Sequence, residues 1–307
     1  MIVKRAQIAA KIEVTEGTAI ALAGADAFLA ENITWTPGIE MHKRGNVSSS
    51  LSKFSEVAGA RQASLDFDVE LKGSGTAGTA PALGKLLKAC GFGETVVAVT
   101  SVTYLPASTS ISSLTMAMYN DGACYLMWGA RGNVSLKLEK GKPGVLHFSF
   151  IGADFSVTDV ALLTTGVSYE TTKPQPFLSA AFLVDSYAAL VGSLEFSMGN
   201  VLTLRPDVNS ASGHKSVAIT DRDPVLTLDP EMVLVATYDF FGKWRSASEG
   251  ALTALVSGAA GNICTITNPK VQYTEEKLSE NSGIRSLGIN ASLNRNAGDD
   301  EISIAFT

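Results

Sequence analysis

Between residues 64 and 72 the chain alternates strictly. Leu65, Phe67, Val69 and Leu71 are apolar, whereas Asp66, Asp68, Glu70 and Lys72 are charged. A period of two sends these sets to opposite faces of a β-strand, so one face packs and the other carries a row of carboxylates. Residues 226–232, LTLDPEM, repeat the theme, with Thr227, Asp229 and Glu231 set between Leu226, Leu228 and Met232. Two acidic strands in comparable settings are the first sign that one unit is written twice.

The same reading extends along the chain. Residues 6–14 read as a first strand or an extended N-terminal arm, residues 33–37 as a strand, and residues 38–63 as a long polar loop. The small-residue run GSGTAGTAP at 73–81 reads as a flexible turn into a helix over 82–90. Its apolar side is Leu83, Leu86 and Leu87, and Gly91 ends it. Two hairpins follow, 114–119 with 124–128 around Asn120-Asp121-Gly122, and 134–139 with 145–150. Threonine, proline and glycine concentrate over 156–180, which suggests a linker. Beyond it the pattern predicts a strand at 194–198, a polar loop at 206–224, the acidic strand, a helix at 249–256, and a hairpin pairing 285–293 with 301–306. The expected architecture is mainly β: two tandem barrel or sandwich domains, 1–155 and 181–307, each with one short α-helix and a long loop.

Composition fits this reading. The 307 residues suit two domains of about 150 each. A 46% hydrophobic content with 28 glycines indicates a strand- and turn-rich globular protein rather than a disordered one. The formal charge of −6 and pI near 5.2 argue against tight binding of nucleic acid through phosphates. A surface of DNA's own sign would instead let DNA pass without sticking. The most apolar stretch, 19–30, is interrupted by Gly24 and Asp26 and falls short of the roughly 20 residues that cross a bilayer, so neither membrane insertion nor a signal peptide is expected.

Candidate chemistry is sparse. Cys90, Cys124 and Cys264 are widely spaced and read as buried free thiols, with no metal site expected. The glycine-rich run lacks the Gly-Lys-Ser/Thr of a phosphate loop. His42, His147 and His214 fall in no zinc or hydrolase motif, and the acids at 221–223 and 299–301 lack calcium-loop spacing. No catalytic or cofactor-binding residue is expected. A β-sandwich adhesin or carbohydrate-binding module is the alternative class, but it calls for an aromatic platform and Trp35, Trp128 and Trp244 are dispersed.

Four segments carry a family resemblance: AKIEVTEGT at 10–18, SLDFDVELKGSGTAGTAPALGKLLKACGFGETV at 64–96, SVTYLP at 101–106, and GARGNVSLKLEKGKPGVLHFSFIG at 129–152. In order and wording they resemble the bacteriophage tail tube proteins, the major tail proteins of long non-contractile tails. The resemblance implies a virion protein, assembled in the host cytoplasm, whose rings stack into a hollow tube. The tape measure protein and then DNA occupy the bore, and a tail terminator and baseplate or distal tail proteins meet the tube's ends. With two fused domains, three chains would supply six units per ring. The carboxylates of Asp66, Asp68, Glu70, Asp229 and Glu231 are the candidate lumen-facing groups, and the long loops are expected to order on assembly.

Overall fold

A computed structural model describes residues 2–307. The first half contains β1 (Ala6–Ile12), β2 (Ala27–Phe28), β3 (Glu31–His42), β4 (Val57–Glu70), helix α1 (Gly84–Ala89), β5 (Phe92–Val97), β6 (Ser101–Pro106), β7 (Leu114–Asn120), β8 (Ala123–Glu139), β9 (Val145–Gly152) and β10 (Asp154–Asp159). The second contains β11 (Leu183–Val184), β12 (Val191–Ser197), β13 (Asn200–Pro206), β14 (His214–Arg222), β15 (Val225–Pro230), helix α2 (Phe240–Arg245), β16 (Glu249–Val256), β17 (Cys264–Asn281), β18 (Ile284–Leu293) and β19 (Ser303–Phe306).

Each half is a two-layer sandwich built on one long bent strand. In the first, residues 123–130 of β8 pair with β7 and β10, and residues 131–137 pair with β9. The bend falls at Gly129, whose φ of +62° suits glycine, and an added Cβ would meet Ala153 at 3.1 Å and the Gly17 backbone at 3.3 Å. One layer therefore runs β2-β1-β7-β8-β10 and the other β3-β4-β9-β8. In the second half β17 plays the same part, giving β11-β16-β17-β19 and β12-β15-β18-β17. Of the two architectures expected, the sandwich is found and the closed barrel is not. The layers share a bent strand at one corner, but no pairing among the described residues joins their far edges.

The pairing graph repeats down to its irregularities. A bulge separates Leu114↔Ala130 from Met116↔Met127, and another separates Gly250↔Val271 from Leu252↔Asn268. Aligned on these bulges, Leu65 corresponds to Leu226 and Arg61 to Arg222. Arg61 holds Asp154 at 2.7 Å, and Arg222 holds Glu301 at 3.1 Å at the corresponding place. The first core stacks Phe67 on Phe148 and Phe150 with centroids 5.6 and 5.9 Å apart. The same continuous core gathers Leu226, Leu228, Leu252, Ile266, Ile289 and Phe306 in the second half.

Several expected elements are corrected. Residues 249–256 form strand β16; the helix lies just before them, capped by Asp239, whose side chain accepts from the Gly242 N–H. Residues 285–293 and 301–306 are not a hairpin, because β19 pairs with β17 and β6 and not with β18. The long loops are shorter than read: β3 and β4 extend the first to a tip at 43–56, and β13 and β14 form a hairpin where only polar chain was expected. Strand pairing carries β10 on to Asp159, after which Leu162, Leu163, Val167 and Tyr169 pack over Ala9, Ala27 and Ala117. The helix α1 is as expected, with Leu83, Leu86 and Leu87 buried and Gly91 at φ +86°. All three cysteines are free and buried.

Candidate assembly surface

The two halves are joined edge to edge. Residues 135–139 of β8 pair with β12 in the register Ser135↔Ser197, Leu136↔Phe196, Lys137↔Glu195, Leu138↔Leu194 and Glu139↔Ser193. The joint fuses one layer of each half into a continuous sheet of eight strands, β3-β4-β9-β8-β12-β15-β18-β17. It is dry on its inner side, with Leu136 only 1% exposed and Phe196 3%. Polar groups pin its rim. The Met198 N–H donates to the Val134 carbonyl at 3.0 Å, and Asn200 Nδ2 donates to the carbonyls of Cys90 and Gly132. The Arg131 guanidinium donates to Glu16 and to the Val217 carbonyl. Burial opposes ionisation of Glu16, but bonds from Ser216 and Arg131 outweigh it and hold its pKa below the ordinary range.

A second joint was not legible in the sequence. Strand β6 of the first half adds to β19 of the second, with Tyr104 packed edge-on against Phe306. Beside it the glycine-rich run meets the second half backbone to backbone. Gly73 N–H donates to Asn262 Oδ1 at 2.8 Å, and a Cβ on Gly73 would lie 2.0 Å from the Gly261 carbonyl oxygen. The run is therefore a close-packing seam and not the loose turn that its composition suggests. The second half has no hairpin corresponding to β5–β6, since only three residues separate α2 from β16.

Four of the five acids singled out from the sequence share one face of the eight-stranded sheet. Asp66, Asp68 and Glu70 alternate with buried Leu65, Phe67 and Val69, and Asp229 follows buried Leu228. Glu231 lies just past β15, bridged to Ser286. These acids are not a bare negative surface. Asp68 takes His147 Nδ1 at 2.7 Å and Asn32 at 2.7 Å, Glu70 pairs with Lys72 at 3.1 Å, and Asp229 accepts the N–H groups of Gly192 and Ser193. Partial burial works against the charged form of Asp68, yet the bonds from Asn32 and His147 win and its pKa is lowered. Lys137 with Glu139 and Lys277 with Glu275 continue the mixture on the same face.

The two outer strands of this sheet are unpaired on their far sides. Among the described residues β3 pairs only with β4, and β17 beyond Gln272 pairs only with β18. No group of histidine, cysteine and acidic side chains among them could hold a metal ion. No helix among the described residues is long and apolar enough to cross a membrane. A surface cleft of about 580 Å³ is lined by Ala25, Ala27, Ala80, Pro81, Lys85, Lys88, Glu94 and residues 168–171, with Tyr169 its one aromatic group.

The chain thus carries a sandwich written twice and fused along strand edges, with the two end strands of the fused sheet unpaired on their outer sides among the described residues. The family model of the phage tail tube protein matches residues 4–307. The chain belongs to the phage tail tube protein family. A comparison with curated proteins finds no match. As a tail tube protein it is a structural component of the virion tail that self-assembles into a tube, and the family is not one of enzymes.

Proposed function

We propose that the chain polymerises into stacked rings forming the tube of a long, non-contractile tail, three chains supplying six sandwich units per ring. The units are residues 1–155, extended by β10 to Asp159, and residues 181–307, with the intervening segment as linker. The observation that carries this reading is the internal joint. One β8–β12 seam is satisfied within the chain, and the edges corresponding to its two sides recur unpaired at opposite ends of the same sheet. A contact between unlike edges is head to tail, and such contacts close into rings when the rotation allows it.

In this reading the polar face of the eight-stranded sheet lines the bore, which holds the tape measure protein until DNA replaces it during delivery to the host. The carboxylates of Asp66, Asp68, Glu70, Asp229 and Glu231 repel phosphate at short range, since screening acts over about 8 Å at physiological salt. Their pairing with His147 and Lys72 softens this field, so DNA slides without being held. The tips at 43–56 and 207–213 reach the next ring, and terminator and baseplate or distal proteins cap the stack, which assembles in the host cytoplasm. Negative-stain microscopy and mass measurement of the purified chain test this: rings or tubes built on trimers are expected, and monodisperse single chains under all assembly conditions would refute it.

A further inference from the structure

We infer that the free edge of β17 receives β3 of a second copy in one definite register, with Lys277 opposite Thr36, Leu278 opposite Trp35 and Ser279 opposite Thr34. The inference rests on the ring reading above and adds the edge and its alignment. It follows from the duplication. Leu136 and Leu278 occupy the same place, because Leu136 pairs with Leu146 and Leu278 with Leu287 on the corresponding strands β9 and β18. Phe196 and Trp35 likewise correspond, being opposite Leu226 and Leu65. Since Leu136 faces Phe196 inside the chain, Leu278 faces Trp35 between chains.

Exposure supports the assignment. Leu136 is 1% exposed under its partner strand, whereas Leu278 is 60% exposed. Trp35 already rests on Tyr125 and Phe155, which hold its ring at the β3 edge, and Ile39 and Met41 continue an apolar rim at 51% and 52% exposure. Addition of a strand in this register covers Leu278 and fills the unpaired backbone groups of both edges beyond Gln272. One bond of the internal seam is not repeated, because Pro37 stands where Met198 donates to Val134 and has no N–H.

Directly opposed residues of antiparallel strands have separations within the span of a disulfide. The test is the full chain carrying Lys277→Cys and Thr36→Cys, compared with Lys277→Cys and Thr34→Cys, which shifts the pair by two residues. Both Lys277 and Thr36 are exposed, and the native thiols are buried and quiet. Oxidation of the assembled opposed pair is expected to give covalent dimers and trimers at several times the yield of the shifted pair. A companion variant, Leu278→Asp, is expected to remain a folded chain that forms no rings. Tubes visible by microscopy without cross-linking, or with the shifted pair favoured, overturn the edge and register and leave the tube reading standing. An unaltered chain that forms neither tubes nor rings, with no cross-link in the opposed pair, overturns both.

Discussion

Glu276 stands in the second half where Val134 stands in the first: Glu276 is paired with Ile289, and Val134 with the corresponding Phe148. A carboxyl has thus replaced a core methyl pair, and neither of its oxygens has a hydrogen-bond partner among the described residues. Burial, reinforced by the like charge of Asp239, raises its pKa to about 7. An acid whose pKa is raised on folding binds its proton more tightly in the native state. Its favourable contribution is complete below about 4.5, the ordinary glutamate value, and is lost as pH rises through about 7. Glu276→Val is therefore expected to raise the melting temperature clearly at pH 8 and much less at pH 5. Equal gains at both pH values would mean that the carboxyl is solvated.

Gly73 lies so near Gly261 that even one methyl group cannot enter without displacing backbone. Gly73→Ala is expected to destabilise the chain by about 1–3 kcal/mol through overpacking. Gly45, with nothing within 4 Å of an added Cβ, should tolerate the same change within about 0.5 kcal/mol. Urea unfolding of the two variants separates a packed seam from a flexible turn.

The contrast between these glycines shows what the sequence could and could not reveal. Alternation is a local signal, so the acidic strands, the helix at Leu83–Leu87 and the hairpins joining β7, β8 and β9 were legible. Composition alone made 73–81 look loose, because small residues serve close approach and flexibility equally well. Strand β16 has a helix-like sequence, because Ala251, Ala254 and Leu255 are good helix formers. The pairing of residues 249–256 with β17 overrode that propensity. Strand β14 carries a weak alternation, because only Val217 and Ser216 of its mid-strand residues are fully buried and its ends are charged. The seams between the halves had no signal at all, since an edge pairing is a property of two distant segments.

Phe67 anchors the first core, fully buried in a stack with Phe148 and Phe150. Phe67→Ala is expected to cost about 3–5 kcal/mol, the range for losing a buried aromatic ring and leaving a cavity. Calorimetry of the purified chain should show that loss. A small effect would mean that the aromatic stack collapses to fill the gap.

Reversing charge on the polar face of β4 tests whether that face meets DNA. Asp66→Lys with Glu70→Lys leaves the buried Leu65, Phe67 and Val69 untouched. Tubes of normal length are expected, with slower DNA ejection that recovers as salt weakens the new phosphate contacts. Unchanged ejection at low salt would place these side chains away from the passing DNA.

The most direct measurement is a density map of the assembled tail tube. Three chains per ring, with one continuous sheet passing through β8–β12 inside each chain and β17–β3 between chains, and with Asp66, Asp68, Glu70 and Asp229 turned to the bore, is the expected result. A ring of six chains, or a tube whose bore is lined by the β1, β7 and β16 layers with those acids outside, would contradict it.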